Sequence, residues 1–180
     1  MDEHRHGQRD AIAAAAWELA QLHGPFSVTM SQVAAAAGVS RPTVYKYFSD
    51  VESMLSAHHQ KHVEAHVAQL ANILEGPGTP RERLTKLARA YAAICHERSR
   101  HEGAEVDRVV HSPLEMDTAE AKLVKLFATA IERAEIKSGG LAPNALATYC
   151  VRALASAADV PHSRVDVLAD MVVGAFAQAG

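Results

Sequence analysis

Three histidines, His58, His62 and His66, recur at four-residue intervals with His59 beside the first, and His96, His101 and His111 follow later in the chain. On a helix that interval puts the first three on one face, where neutral imidazoles could ligate zinc, nickel or copper, as a metal sensor would require. A solvated helix face or contact with an organic ligand fits the same spacing. The two cysteines, Cys95 and Cys150, are remote from this stripe and from each other, which suits reduced core thiols better than a zinc knuckle or a disulfide scaffold. The two Glu-x-x-His motifs of a di-metal bundle, the His-Glu-x-x-His zinc pattern, a serine elbow and a phosphate-cradling glycine loop are all absent. No catalytic residue, metal site or cofactor is therefore expected, and the chain does not read as an enzyme.

A second set of residues suits recognition of a base-paired duplex. Arg41, Thr43 and Lys46 fall near the start of a short helical segment, Ser40 to Phe48, that follows a turn at Gly38. Two short helices joined by such a turn form a helix-turn-helix, whose second helix enters the major groove of DNA. Arg41 and Lys46 suit guanine acceptors, and Pro42 and Thr43 can touch a thymine methyl. Tyr45 and Tyr47, with the hydroxyls of Thr29, Ser31 and Ser40, suit phosphate contacts that set the docking register.

The elements that must position these side chains are also legible. Ile12, Ala15, Ala16, Leu19 and Leu22 form a helical stripe that ends at Gly24-Pro25. Thr29-Met30-Ser31-Gln32 has the form of a capping box, and a helix follows through Val33 to Ala37. Ser40 is a good N-cap, Pro42 sits where first-turn amides lack helical partners, and Val39 and Val44 are placed as a hydrophobic staple. The segment Val51 to about Leu74 reads as one long helix stopped by Gly76-Pro77-Gly78.

Thr79-Pro80-Arg81-Glu82 then opens a helix to about Arg100, with Leu84, Leu87, Ala88, Tyr91 and Ile94 on one face. A shorter charged helix is expected over Glu102 to Val110. Ser112-Pro113-Leu114-Glu115 opens the next, closed by Gly139-Gly140. Helices from Pro143 to Ala157 and from Ser163 onward follow, the last with Val165, Leu168, Val172 and Phe176 as its stripe, widened by Ala169, Val173 and Ala177. The expected fold is all-α, about nine helices, with no strand pattern. Residues 1–50 form the helix-turn-helix domain, and residues 51–180 form a helical effector-binding and dimerisation domain.

The segment from Ile12 to Leu55 resembles the DNA-binding domain of the TetR family of transcriptional regulators. The likeness rests on Gly24, on the Ala-Gly-Val-Ser turn at Ala37 to Ser40, and on the Tyr-x-Tyr-Phe ending at Tyr45 to Phe48. It implies a homodimeric repressor with an all-helical body that binds a small molecule, and a head that leaves its operator when the ligand binds. Many family members carry a lysine near the start of the fourth helix, where it contacts the DNA backbone; here Ser49-Asp50-Val51-Glu52 offers valine.

Charge points the same way. The net charge is −3, and residues 1–50 set Arg5, Arg9, Arg41 and Lys46 against Asp2, Glu3, Asp10, Glu18 and Asp50. Non-specific DNA affinity comes mainly from cations that neutralise phosphates, so weaker or more salt-sensitive binding is expected. A dimeric helical adaptor with weak or lost DNA binding is the alternative on this count.

Beyond Leu55 the resemblance carries no residue roles. An effector pocket is expected among the body helices, with Tyr91, Cys95, Phe127 and Tyr149, and His62 and His66 from the long helix, as its candidate lining. The last two helices look too broadly apolar for a monomer. Leu154, Ala157, Leu168, Val172 and Phe176 are the candidates for a two-fold four-helix interface. Two heads so held would read half-sites of a near-palindromic operator about 34–36 Å apart, or a multiple of that. The polar N-terminus and the lack of about 18–20 unbroken apolar residues suggest a cytoplasmic protein with no membrane partner.

Overall fold

Caps, prolines and glycines cut this alanine-rich chain into helices. The computed structural model describes residues 2–101, 113–136 and 140–177. Its helices are α1 (Asp2–His23), α2 (Met30–Ala36), α3 (Arg41–Tyr47), α4 (Val51–Leu74), α5 (Pro80–His101), α6 (Pro113–Arg133), α7 (Pro143–Ala155) and α8 (Val165–Ala177). Short 3₁₀ turns lie at Pro25–Ser27, Ser156–Asp159 and His162–Arg164. Among the described residues there is no strand, as the lack of period-two alternation predicts. The helix expected over Glu102 to Val110 and the Ser112 cap fall outside the described residues.

The chain divides into two compact units, one reaching from the N-terminus to Glu64 and the other comprising Ala65–His101 with the later helices. The first unit is built on one core. Ile12, Ala13, Ala16 and Ala20 of α1 meet Val33 and Ala34 of α2, Val44 of α3, Phe48, and Met54 and Leu55 of α4. Ile12, Val33, Val44, Met54 and Leu55 have no exposed surface. Burying each side chain of this kind stabilises the unit by about 1.5–3 kcal/mol, so α3 is held by its inner face while its outer face stays open.

The second unit centres on α5, which packs against α7, α8 and the turn Ser156–Asp159. Its core joins Leu70 and Leu74 of α4 to Leu84, Leu87 and Tyr91 of α5, Phe127 and Ile131 of α6, Leu146, Cys150 and Leu154 of α7, and Val165 and Ala169 of α8. A two-pronged ion pair, Arg89 Nε and Nη2 to Asp170 at 2.8 and 2.6 Å, ties α5 to α8 at the surface.

Three details depart from the sequence pattern. Leu22 is 75% exposed rather than part of the buried stripe. At 3.6 residues per turn it lies about 80° round the helix from Ile12, on the far edge of the apolar arc. α6 stops at Arg133 and not at Gly139-Gly140, because Glu135 takes the left-handed conformation at φ 50°. There the Glu135 amide donates to the Glu132 carbonyl at 3.1 Å and the Ile136 amide to the Ile131 carbonyl at 3.3 Å, which closes a Schellman cap without glycine. Finally, the helix expected to run to Ala157 turns 3₁₀ at Ser156, and α8 begins at Val165 after a 3₁₀ turn rather than from a Ser163 cap.

Candidate nucleic-acid interface

The interface is assembled by three caps. Thr29 forms a complete capping box: its backbone N–H donates to Gln32 Oε1 at 2.8 Å, and its hydroxyl oxygen accepts from the Gln32 amide at 3.3 Å. At the other end of α2, Gly38 adopts φ 65°. Its amide reaches the Ala35 carbonyl at 3.2 Å while that of Val39 reaches Ala34 at 3.0 Å. Most side chains resist that backbone conformation, which is why glycine stands at the turn. Val39 packs on the core, and Ser40 caps α3 by accepting from the Thr43 amide at 3.3 Å.

α3 then divides cleanly by face. Val44 and, just past its end, Phe48 are buried, whereas Arg41, Pro42, Tyr45 and Lys46 are exposed and Thr43 and Tyr47 are half-buried. The Arg41 guanidinium lies over the Tyr45 ring at 5.9 Å and the Lys46 ammonium over Tyr47 at 5.9 Å. Thr29 and Ser31 are exposed at the start of α2. The hydroxyls of Ser40 and Thr43 bond each other at 2.8 Å, and that of Thr29 bonds Gln32 Oε1 at 2.7 Å, so all three serve local structure. Tyr47 donates its hydroxyl to Gln8 Oε1 at 2.9 Å. A phosphate accepts but cannot donate, so Tyr47 cannot grip one through this proton while that bond stands.

Two acidic residues of the head have structural employment. Asp50 caps α4, taking the Ser53 amide at 2.7 Å and the Ser49 hydroxyl at 2.7 Å. The Ser49 bond first, and the Ser53 amide next, hold its carboxyl below the usual range. Asp10 binds Lys61 Nζ at 2.6 Å. Val51 is half-buried against the head core, so this position supplies packing and no charge.

The histidine stripe is an aromatic contact between α1 and α4. Trp17 stacks on His58 with centroids 4.9 Å apart and lies 6.4 Å from His59, and His58 tilts against His62 at 4.5 Å. Burial first, then the neighbouring His62 and Lys61, pushes His58 down to about 4. Among the described residues no three His, Cys, Asp or Glu side chains are grouped to hold a metal ion.

In the second unit Tyr91 meets Phe127 edge to face at 5.8 Å, and burial, then the adjacent Cys95 thiol, pushes its phenol upward. Burial also raises Cys95, and it takes Cys150 to about 12. Tyr91, Cys95 and Phe127 thus share one core, while Tyr149 is 58% exposed and His62 belongs to the first unit. His66 is half-buried on α4. No pattern in the sequence assigns a role to His96, which is buried with Nδ1 3.2 Å from the Ala157 carbonyl oxygen and its ring 5.4 Å from His162. A carbonyl only accepts, so Nδ1 carries the proton.

Of the residues expected at a two-fold interface, Leu154 and Ala157 have no exposed surface and belong to the chain's own core. Val172 is buried, Leu168 is half-buried, and the Phe176 side chain lies outside the described residues. Among the described residues, Tyr149, Val167 and Met171 are the large apolar side chains that α7 and α8 leave exposed.

Residues 12–57 match the model of the bacterial regulatory proteins, tetR family. Over those residues the head is similar to that family. That head spans the first core described above, from Ile12 through the first turns of α4. Solved structures extend the likeness of fold to nearly the whole chain. A transcriptional regulator of the TetR/AcrR family from Thermobifida fusca is 18% identical, with a TM-score of 0.68 over 96% of this chain and 97% of that one. The fatty acid degradation regulator FadR from Bacillus halodurans is 18% identical, with a TM-score of 0.70 over 94% of each chain. FadR from Bacillus subtilis, solved with stearoyl-CoA, is 16% identical, with a TM-score of 0.62 over 94% of this chain and 98% of that one. No curated protein matches the chain. No helix among the described residues is long and apolar enough to cross a membrane.

Proposed function

We propose that the protein is a cytoplasmic transcriptional repressor that binds a near-palindromic DNA operator as a homodimer and leaves it when a small molecule binds the body. The observation that carries this reading is α3: a capped helix anchored through Val44 whose outer face presents Arg41, Pro42, Tyr45 and Lys46. Arg41 and Lys46 read base edges, Pro42 and Thr43 meet thymine methyls, and Tyr45 with the amides at the starts of α2 and α3 contacts phosphates. Thr29 and Ser40 hold those amides in place as caps, and the exposed Ser31 hydroxyl adds a phosphate contact. The dimer forms through α7 and α8, on the face that carries Tyr149, Val167 and Met171. The effector enters the core region of Tyr91, Cys95 and Phe127, and α4, continuous from head to body, carries the signal.

The stearoyl-CoA held by the Bacillus subtilis neighbour makes long-chain acyl-CoA the first effector class to try. Selection of bound sequences from random duplex DNA tests the reading. A two-fold symmetric consensus supports it, and absence of any enriched sequence refutes it in favour of an adaptor role. Acyl-CoA is then titrated against the selected duplex, where loss of binding is expected.

A further inference from the structure

α1 begins at Asp2, whereas the family match begins at residue 12. The head therefore has about three additional helical turns in front of the matched domain. On that extension Arg5, Gln8 and Arg9 stand at i, i+3 and i+4, which places them on one face. The structure docks this face on the end of the recognition helix. Gln8 Oε1 accepts the Tyr47 hydroxyl at 2.9 Å, and the Arg9 guanidinium carbon sits 4.9 Å above the Phe48 ring. Arg5 and Arg9 are exposed and Gln8 is half-buried.

We infer that Arg5, Gln8 and Arg9 form a second DNA-backbone site, in which the extension of α1 grips a phosphate segment beside the groove that α3 occupies. The inference rests on the DNA-binding reading proposed above. Each residue has suitable chemistry. A primary amide whose oxygen is occupied by Tyr47 turns its NH₂ group elsewhere, and that group offers two donors of the kind a phosphate accepts. Guanidinium groups provide charge and a forked set of donors, and stacking on Phe48 holds Arg9 with less loss of freedom on binding. Asp10, the acid next to Arg9, is occupied by Lys61 at 2.6 Å. Tyr47 is a positioning residue here, acting through Gln8 rather than on DNA.

The test uses the full-length protein and the duplex selected above. Affinity is measured against salt concentration for the wild type, Arg5→Gln and Arg9→Gln. Each phosphate contact contributes about 0.9 to the slope of log K against log salt, so each variant should flatten the slope by about 1.8 for a dimer with two heads. Base preference should be unchanged, because phosphate contacts position the head and do not read sequence. Arg5→Gln guards against a folding artefact, since Arg5 lies a full turn before the Phe48 contact. Urea midpoints followed by Trp17 fluorescence check the head of both variants.

Gln8→Ala and Tyr47→Phe should each weaken binding several-fold, and their combination should be no weaker than Gln8→Ala alone. An additional loss in the double variant would overturn the positioning role of Tyr47. Slopes equal to wild type in both arginine variants would overturn the site while leaving operator binding intact. Failure to select any duplex would instead bring down the DNA-binding reading itself.

Discussion

His58 should make the head acid-sensitive in a range where an ordinary histidine would not. Its ring lies between Trp17 and His62, with Lys61 and Asp10 nearby, and its folded-state value is about 4 against 6.5 when unperturbed. Above pH 6.5 the ring is neutral in both folded and unfolded chains and pH has no hold on it. As pH falls below 6.5 the unfolded chain takes up a proton that the folded head refuses until about pH 4. Stability is therefore lost progressively between those values. Taken in full, a displacement of that size is worth about 3 kcal/mol. His58 is only half-buried, and screening by water at its open edge brings the expected loss to about 1–2 kcal/mol.

His58→Phe retains a ring against Trp17 and removes the titration. Trp17 is the sole tryptophan, so urea unfolding read by its fluorescence reports the unit that contains both residues. Between pH 7 and pH 4.5 the wild type should lose about 1–2 kcal/mol more than the variant. Equal acid sensitivity in the two proteins, or an NMR titration of the His58 ring centred near 6.5, would refute the reasoning.

Three further outcomes are expected. Glu135→Gly removes the cost of a left-handed side-chain-bearing residue at the end of α6 and should raise stability by about 0.5–1 kcal/mol, so a lower thermal midpoint would count against that cap. Ser40→Ala deletes the acceptor for the Thr43 amide and should cost about 1 kcal/mol by urea titration, together with weaker operator binding. Cys150 should react with iodoacetamide about a thousandfold more slowly in the folded protein at pH 8 than in urea, since burial makes its thiolate scarce; comparable rates would show an accessible thiol.

Local chemistry makes the head legible in the sequence. The capping box at Thr29, the turn at Gly38, the Ser40 cap and the boundaries of α4 each depend on residues within about four positions of one another, and helix ends are decided at that range. The exposed and buried faces of α3 follow from the same periodicity. Contacts between residues far apart in the chain are not legible this way. Nothing near Gln8 signals that its partner is Tyr47, thirty-nine residues later, or that Arg9 rests on Phe48.

The histidine spacing at 58, 62 and 66 is equally compatible with metal, ligand or solvent, and only the approach of α1 brings Trp17 against it. Composition likewise shows that α7 and α8 are apolar. Packing around α5 decides that Leu154 and Ala157 face inward while Tyr149, Val167 and Met171 remain outside. The sequence by itself determined where most helices start, stop and turn, and hence the recognition helix, because those choices are made among neighbours in the chain. Tertiary structure decided which side chains meet, because burial and hydrogen bonding across elements depend on how separate helices pack.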